Sequence, residues 1–166
     1  MQQQTSRVLI AILFSAGLSF AAAAHAAPAT HKHDAHADHG APASLQLNAG
    51  KKWGTDEALR KSMGSIRQAV EASLHDIHEN RLPAAGYGAL ASKVEGEVAN
   101  IVANCKLDPK ADAQLHLVVA DLLAGSDQMA GKVKKAKRQD GAVKVIDALE
   151  KYAAYFDDPQ FKPIAH

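Results

Sequence analysis

Leu59, Met63, Ile66, Val70, Leu74 and Ile77 recur at spacings of four, three, four, four and three. That repeat is one face of an α-helix, whereas a half-buried strand alternates every second residue. Three more stripes follow. Tyr87, Leu90, Val94, Val98, Ile101 and Cys105 form the second, and Leu115, Val118, Val119, Leu122 and Met129 the third. Val143, Ile146, Leu149, Ala153 and Phe156 make the fourth. The residues between them punctuate helices. Thr55 is expected as an N-cap, with Asp56 and Glu57 in the first turn where the helix dipole favours acids, and Trp53 packing over that start. The first helix ends near Asn80. Pro83 suits the first turn of the second, and Asp108-Pro109 opens the third. Gly125 and Gly131 weaken the far end of the third helix. A basic stretch from Lys132 to Gln139 leads to a fourth helix, from about Asp140 to Phe156, stopped by Pro159. One amphipathic helix cannot bury its stripe alone, and short connections make successive helices antiparallel neighbours. The expected fold class is therefore all-α, an up-down-up-down four-helix bundle over residues 51–166, the single domain that 166 residues accommodate.

The first fifty residues read differently. Arg7 precedes an apolar run from Val8 to Ala24, and small residues stand at −3 and −1 of a cut after Ala26. A basic start, a short apolar core and an Ala-x-Ala end define a secretory signal peptide over residues 1–26. A cut after Ala24, with Ala22 at −3, is the competing site. The exported chain is expected in the periplasm, with no membrane span once the leader is removed. Residues 27–50 are rich in Ala, Pro, His and Asp and too poor in large apolar side chains to offset the entropy of ordering, so they read as a flexible arm. Within it, His31, His33, His36 and His39 alternate with Asp34 and Asp38. Imidazole suits copper, zinc and nickel, and a pliant strand can wrap several ligands around one ion. Copper or zinc bound by these six residues is the expected cofactor.

Charge narrows the remaining choices. Lys plus Arg number 19 and Asp plus Glu 18. Cleavage of the leader removes Arg7 and leaves the chain formally neutral, without the basic face of a nucleic-acid binder. One cysteine permits no internal disulfide, although Cys105 can pair between molecules. No strand is present to carry a phosphate-binding glycine loop, and no serine or cysteine nucleophile is marked by a strained turn. A carboxylate-bridged di-metal centre needs inward Glu-x-x-His pairs, whereas Glu71, Glu79, Glu95, Glu97 and Glu150 fall outside the stripes. The expectation is a non-catalytic protein whose partners are metal ions and another periplasmic protein.

Four bundle residues form a secondary set of candidate metal ligands. On the first helix His75 and His78 stand three apart with Glu71 and Glu79 on the same flank, a spacing that can chelate one ion. Cys105 cannot join them, because some twenty helical residues, about 30 Å, separate it from His78. Met63 and His116 lie at similar heights above one end of the bundle, with Asp112 one turn before His116 and able to accept from its ring. They belong to diagonal helices, which works against a shared ion.

The chain resembles two known groups. The early Met63 on the first helix is similar to the methionine haem ligand of soluble b-type four-helix cytochromes. That resemblance implies a histidine near the end of the last helix, where this sequence has Lys151-Tyr152-Ala153-Ala154-Tyr155-Phe156 and no histidine until His166. Half the haem ligand set is therefore missing, and haem is not the expected cofactor; a b-type haem or other small-ligand carrier, or a purely structural or interaction bundle, is the alternative reading. The c-prime type requires Cys-x-x-Cys-His, which is absent. The segments Leu47-Asn48-Ala49-Gly50-Lys51-Lys52-Trp53, Met63-Gly64-Ser65-Ile66-Arg67 and Asn104-Cys105-Lys106-Leu107, with Ala111-Asp112 and Leu115-His116, resemble small exported bacterial proteins labelled DnrO-like. That likeness covers about residues 45 to 163 and implies an exported helical protein, with no chemistry attached.

Overall fold

In the computed structural model the described residues are 44–164. The leader expected over 1–26, and residues 27–43 of the expected arm with His31, His33, Asp34, His36, Asp38 and His39, lie outside them. Four helices account for the stripes: α1 (Glu57–His78), α2 (Ala84–Asn104), α3 (Pro109–Met129) and α4 (Arg138–Tyr155). Consecutive helices pack against one another and α1 closes on α4. Each neighbouring pair runs antiparallel. Early Ser62 on α1 meets late Asn100 on α2, early Ala91 on α2 meets late Ser126 on α3, and Gln139 at the start of α4 donates to Ile77 O at the end of α1. The all-α bundle expected from the periodicity is the fold observed.

The local signals hold with small shifts. Asp56, rather than Thr55, is the N-cap of α1, its carboxylate accepting from Leu59 N at 2.8 Å. Thr55 instead donates its hydroxyl to Asp157 O. Pro83 caps α2 from one residue outside it, and Asp108-Pro109 opens α3 as expected. Asn80 (φ 51°) and Gly131 (φ 79°) take the left-handed conformation that ends α1 and α3.

Two expectations about the interior need correction. Gly125 does not interrupt α3, which runs on to Met129, and there α3 and α4 approach closely. A Cβ on Gly125 would lie 2.7 Å from Gly141 O, and one on Gly141 would lie 2.7 Å from Gly125 O. Around that contact α4 buries Gly141, Ala142, Val145, Ile146, Ala148, Leu149 and Tyr152. Val143, expected inside, is 44% exposed, because the close approach turns the small residues Gly141 and Ala142 inward. Ala153 is only half-buried.

The ordered domain also reaches back into the segment expected to be flexible. Asn48 and Lys51 exchange backbone hydrogen bonds around a tight turn, with Ala49 and Gly50 at positive φ. Gln46 N donates to Gln114 Oε1 on α3 at 2.7 Å, and Trp53 Nε1 donates to Gln46 O at 2.6 Å. Leu45 packs against the core. Trp53 then runs beside Phe156: Trp53 N donates to Tyr155 O and Asp157 N to Trp53 O, both at 2.8 Å. Tyr152 stacks on Phe156 and meets Phe161 edge-on, so the end of α4 is closed by aromatic rings.

Candidate functional site

The secondary ligand set is dispersed by the fold. Met63 is fully buried in the core, on a helix whose backbone does not approach that of α3, whereas His116 is exposed, so the fold does not bring the two together. Its sulfur is occupied by packing. His75 and His78 are both exposed near the end of α1. His75 Nε2 sits 2.7 Å from an Arg81 guanidinium nitrogen. A guanidinium only donates, so the His75 lone pair is engaged by a cation. That arrangement opposes a second cation between His75 and His78, and it was invisible to helix spacing because Arg81 follows the helix end. Among the described residues, no group of three or more His, Cys, Asp or Glu side chains is placed to hold a metal ion. Of the glutamates, Glu71 is taken by Arg67, while Glu95 accepts from Lys132 at 2.8 Å and from Ser126. The Lys132 ammonium beside it holds the Glu95 carboxyl below its ordinary value.

His116 is placed differently. It stands two turns into α3 with its side chain largely exposed, Nδ1 lying 2.8 Å from Asp112 O and 3.4 Å from the Asp112 carboxylate. The expected Asp112 partnership is therefore present, through the backbone carbonyl as well as the carboxylate. His116 lines a groove of about 240 Å³ between α2 and α3, together with Ile101, Val102, Cys105, Asp112, Leu115 and Val119. The sequence pointed to His116 and Cys105 singly but not to the groove. Its one local signal was Val102, which falls off the α2 stripe and remains 75% exposed.

Cys105 ends α2 and is half-buried. Burial, then the Asp56 carboxylate beside it, pushes its thiol up to about 12. Asp56 gathers three donors: Leu59 N, Lys106 N at 2.5 Å and the Cys105 thiol. Burial alone would raise the Asp56 carboxyl. The two backbone N–H groups, the thiol and the nearby Arg60 guanidinium outweigh it and hold the carboxyl below its usual value. One carboxylate thus ties the start of α1 to the corner between α2 and α3.

A wider cleft of about 540 Å³ lies along the first half of α1, bordered by Arg60, Lys61, Gly64, Arg67, Asp158 and Phe161. Most of its charges are already engaged. Arg67 pairs with Glu71 and lies over the Phe161 ring. Arg60 donates to Thr55, and Asp158 accepts from Tyr152 and Gln160.

No protein-family model, no curated protein and no solved structure matches this chain. No helix among the described residues is long and apolar enough to cross a membrane.

Proposed function

We propose that the protein is an exported, non-catalytic helical bundle that handles a transition metal, copper or zinc, through the His-rich segment that precedes the bundle. One observation carries the reading: four imidazoles and two carboxylates, His31, His33, Asp34, His36, Asp38 and His39, stand within nine residues. Imidazole nitrogens are strong ligands for Cu(II) and Zn(II), and the interleaved carboxylates offset the charge of the ion. The signal-peptide pattern over 1–26 supports a periplasmic site of action, and the kinship with DnrO-like exported proteins belongs to the same proposal. The bundle serves as scaffold and as a surface for a periplasmic partner.

Deleting His31 to His39 tests the reading. The deletion should leave the melting temperature of the bundle unchanged while removing most of the Cu(II) or Zn(II) bound near neutral pH, as measured by calorimetric titration. Protons and metal compete for the same nitrogen lone pairs, so acidification below the imidazole reference value of about 6.5 should release the metal. Equal metal affinity in the deleted and full chains would remove the segment from the function. Absence of binding by both would end the metal reading.

A further inference from the structure

The segment Lys132-Val133-Lys134-Lys135-Ala136-Lys137-Arg138, between α3 and α4, carries five cations and no acid. The fold fixes its backbone. Lys132 N donates to Asp127 O at 2.9 Å and Ala136 N to Val133 O at 3.4 Å, so Lys134 and Lys135 are the central residues of a turn. Lys135 holds the left-handed conformation at φ 63°. At the base of the loop Arg138 donates to Met129 O, and Gln128 Nε2 donates to Lys137 O at 3.0 Å. Both ends of the loop are thereby tied to α3.

The charge of this loop is not balanced locally. Lys132 is neutralised by Glu95 at 2.8 Å and Asp127 at 2.9 Å. Lys134, Lys135 and Lys137 are exposed and form no ion pair with the described residues. Gln139 brings the α1–α2 corner to the same end of the bundle. There Arg81 is matched by Asp76 and Glu79, each at 3.9 Å, so the surplus belongs to the α3–α4 loop. Asp140, in the first turn of α4, lines a separate hollow with Asp121 and Lys144. One apolar side chain stands among the cations: Val133, 45% exposed, between Lys132 and Lys134.

We propose that this loop is a peripheral docking site for an anionic phospholipid surface. A headgroup layer suits both features, its phosphates taking the lysine ammoniums and its acyl boundary the valine. A protein partner fits less well. Protein interfaces are anchored by aromatic residues and arginine and are depleted in lysine. Here the loop has no aromatic residue, and its one arginine is engaged by Met129 O. A nucleic acid needs an extended basic face, whereas this loop is bounded by Asp127 and Asp140 in a chain of net charge +1. One cluster of this size gives weak, reversible attachment rather than a fixed anchor. The proposal is independent of the metal reading, since no histidine takes part in it.

Co-sedimentation with vesicles at pH 7.5 tests it, using the chain from Ala27 onward, which keeps every described residue and omits the apolar leader. EDTA excludes metal bridging through the histidines. The chain should bind vesicles of mixed phosphatidylcholine and phosphatidylglycerol, not pure phosphatidylcholine, and high salt should release it. Each lysine near such a surface contributes about a fivefold factor, so Lys134→Gln with Lys135→Gln and Lys137→Gln should weaken binding about a hundredfold. Lys51→Gln with Lys110→Gln and Lys162→Gln removes the same charge at the opposite end of the bundle and should leave binding nearly unchanged. Val133→Ser should weaken it about threefold. All seven positions are exposed, so each variant should keep the melting temperature. The proposal is overturned if anionic vesicles do not retain the native chain, if the two lysine triples weaken binding equally, or if Val133→Ser has no effect. Failure on vesicles together with binding of soluble poly-glutamate would overturn it by assigning the loop to an acidic protein partner.

Discussion

Gly125→Ala places one methyl group where α3 and α4 meet. The added Cβ would stand 2.7 Å from Gly141 O and from Val145 Cγ2, against the 3.4 Å at which ordinary contact begins. Val145 can turn away, but the Gly141 carbonyl is backbone, so the two helices must part. Overpacking of this kind costs about 1–3 kcal/mol, and the better helix propensity of alanine returns up to about 1 kcal/mol. The net expectation is a loss of about 1–2 kcal/mol, which for a domain of this size is a fall of about 4–8 °C in melting temperature. Gly96→Ala is the control: its site on α2 has nothing within 4 Å of a Cβ, so propensity acts alone and the protein should gain up to about 1 kcal/mol. Thermal unfolding followed by circular dichroism at 222 nm measures both. Gly125→Ala with Gly141→Ala should cost less than the sum of the two, because helices already parted by the first methyl leave room for the second. Two substitutions of the same sign, or strict additivity in the double variant, would refute the close-contact account.

The other outcomes follow from three single side chains. Asp56→Ala removes the α1 cap and the acceptor for Lys106 N together, and should lower stability by about 2 kcal/mol in urea unfolding. The folded Asp56 carboxyl lies below its unfolded value near 3.8, so its contribution is complete above that value and fades as pH falls through the folded one. The stability gap between the native chain and Asp56→Asn should therefore narrow below about pH 4. A gap independent of acid would contradict the charge-assisted cap. Cys105, its thiol pushed up to about 12, should react with iodoacetamide at pH 8 far more slowly than an unstructured peptide cysteine, and faster after Asp56→Ala; equal rates in the native chain and the peptide would show the thiol to be open. The Tyr87 hydroxyl is buried without a hydrogen-bond partner among the described residues, so Tyr87→Phe should raise stability by about 1 kcal/mol, and a loss would mean that the hydroxyl has a partner.

Helix number, order and most core positions could be read from large apolar residues at three-four spacing. Those residues signal a face wherever bulk does the packing. The reading failed where packing depends on smallness. Gly125, Gly141 and Ala142 mark a close approach of α3 and α4 yet carry no hydrophobic signal, and the apolar spacing points to Val143 as the inner residue in their place. Adjacent cap candidates were equally opaque. Thr55 and Asp56 are both good caps, and the choice rests on Lys106 N, fifty residues away. The candidate site was legible only as single residues. His116 with Asp112 follows from a four-residue spacing within one helix, whereas the groove needs α2 beside α3, and the cation on His75 comes from a loop arginine that no helical repeat includes.

Trp53 is the only tryptophan in the chain, and its clasp with Tyr155 and Asp157 joins positions about a hundred residues apart. Closing a loop of that length costs about 4 kcal/mol of chain entropy. No single helix or helical hairpin brings those residues together; the clasp forms when α4 settles beside the start of α1. The indole is therefore a built-in clock for the final closing of the ring of helices, while far-ultraviolet ellipticity follows their winding. A lag between the two signals during refolding would time the interval between making helices and assembling them.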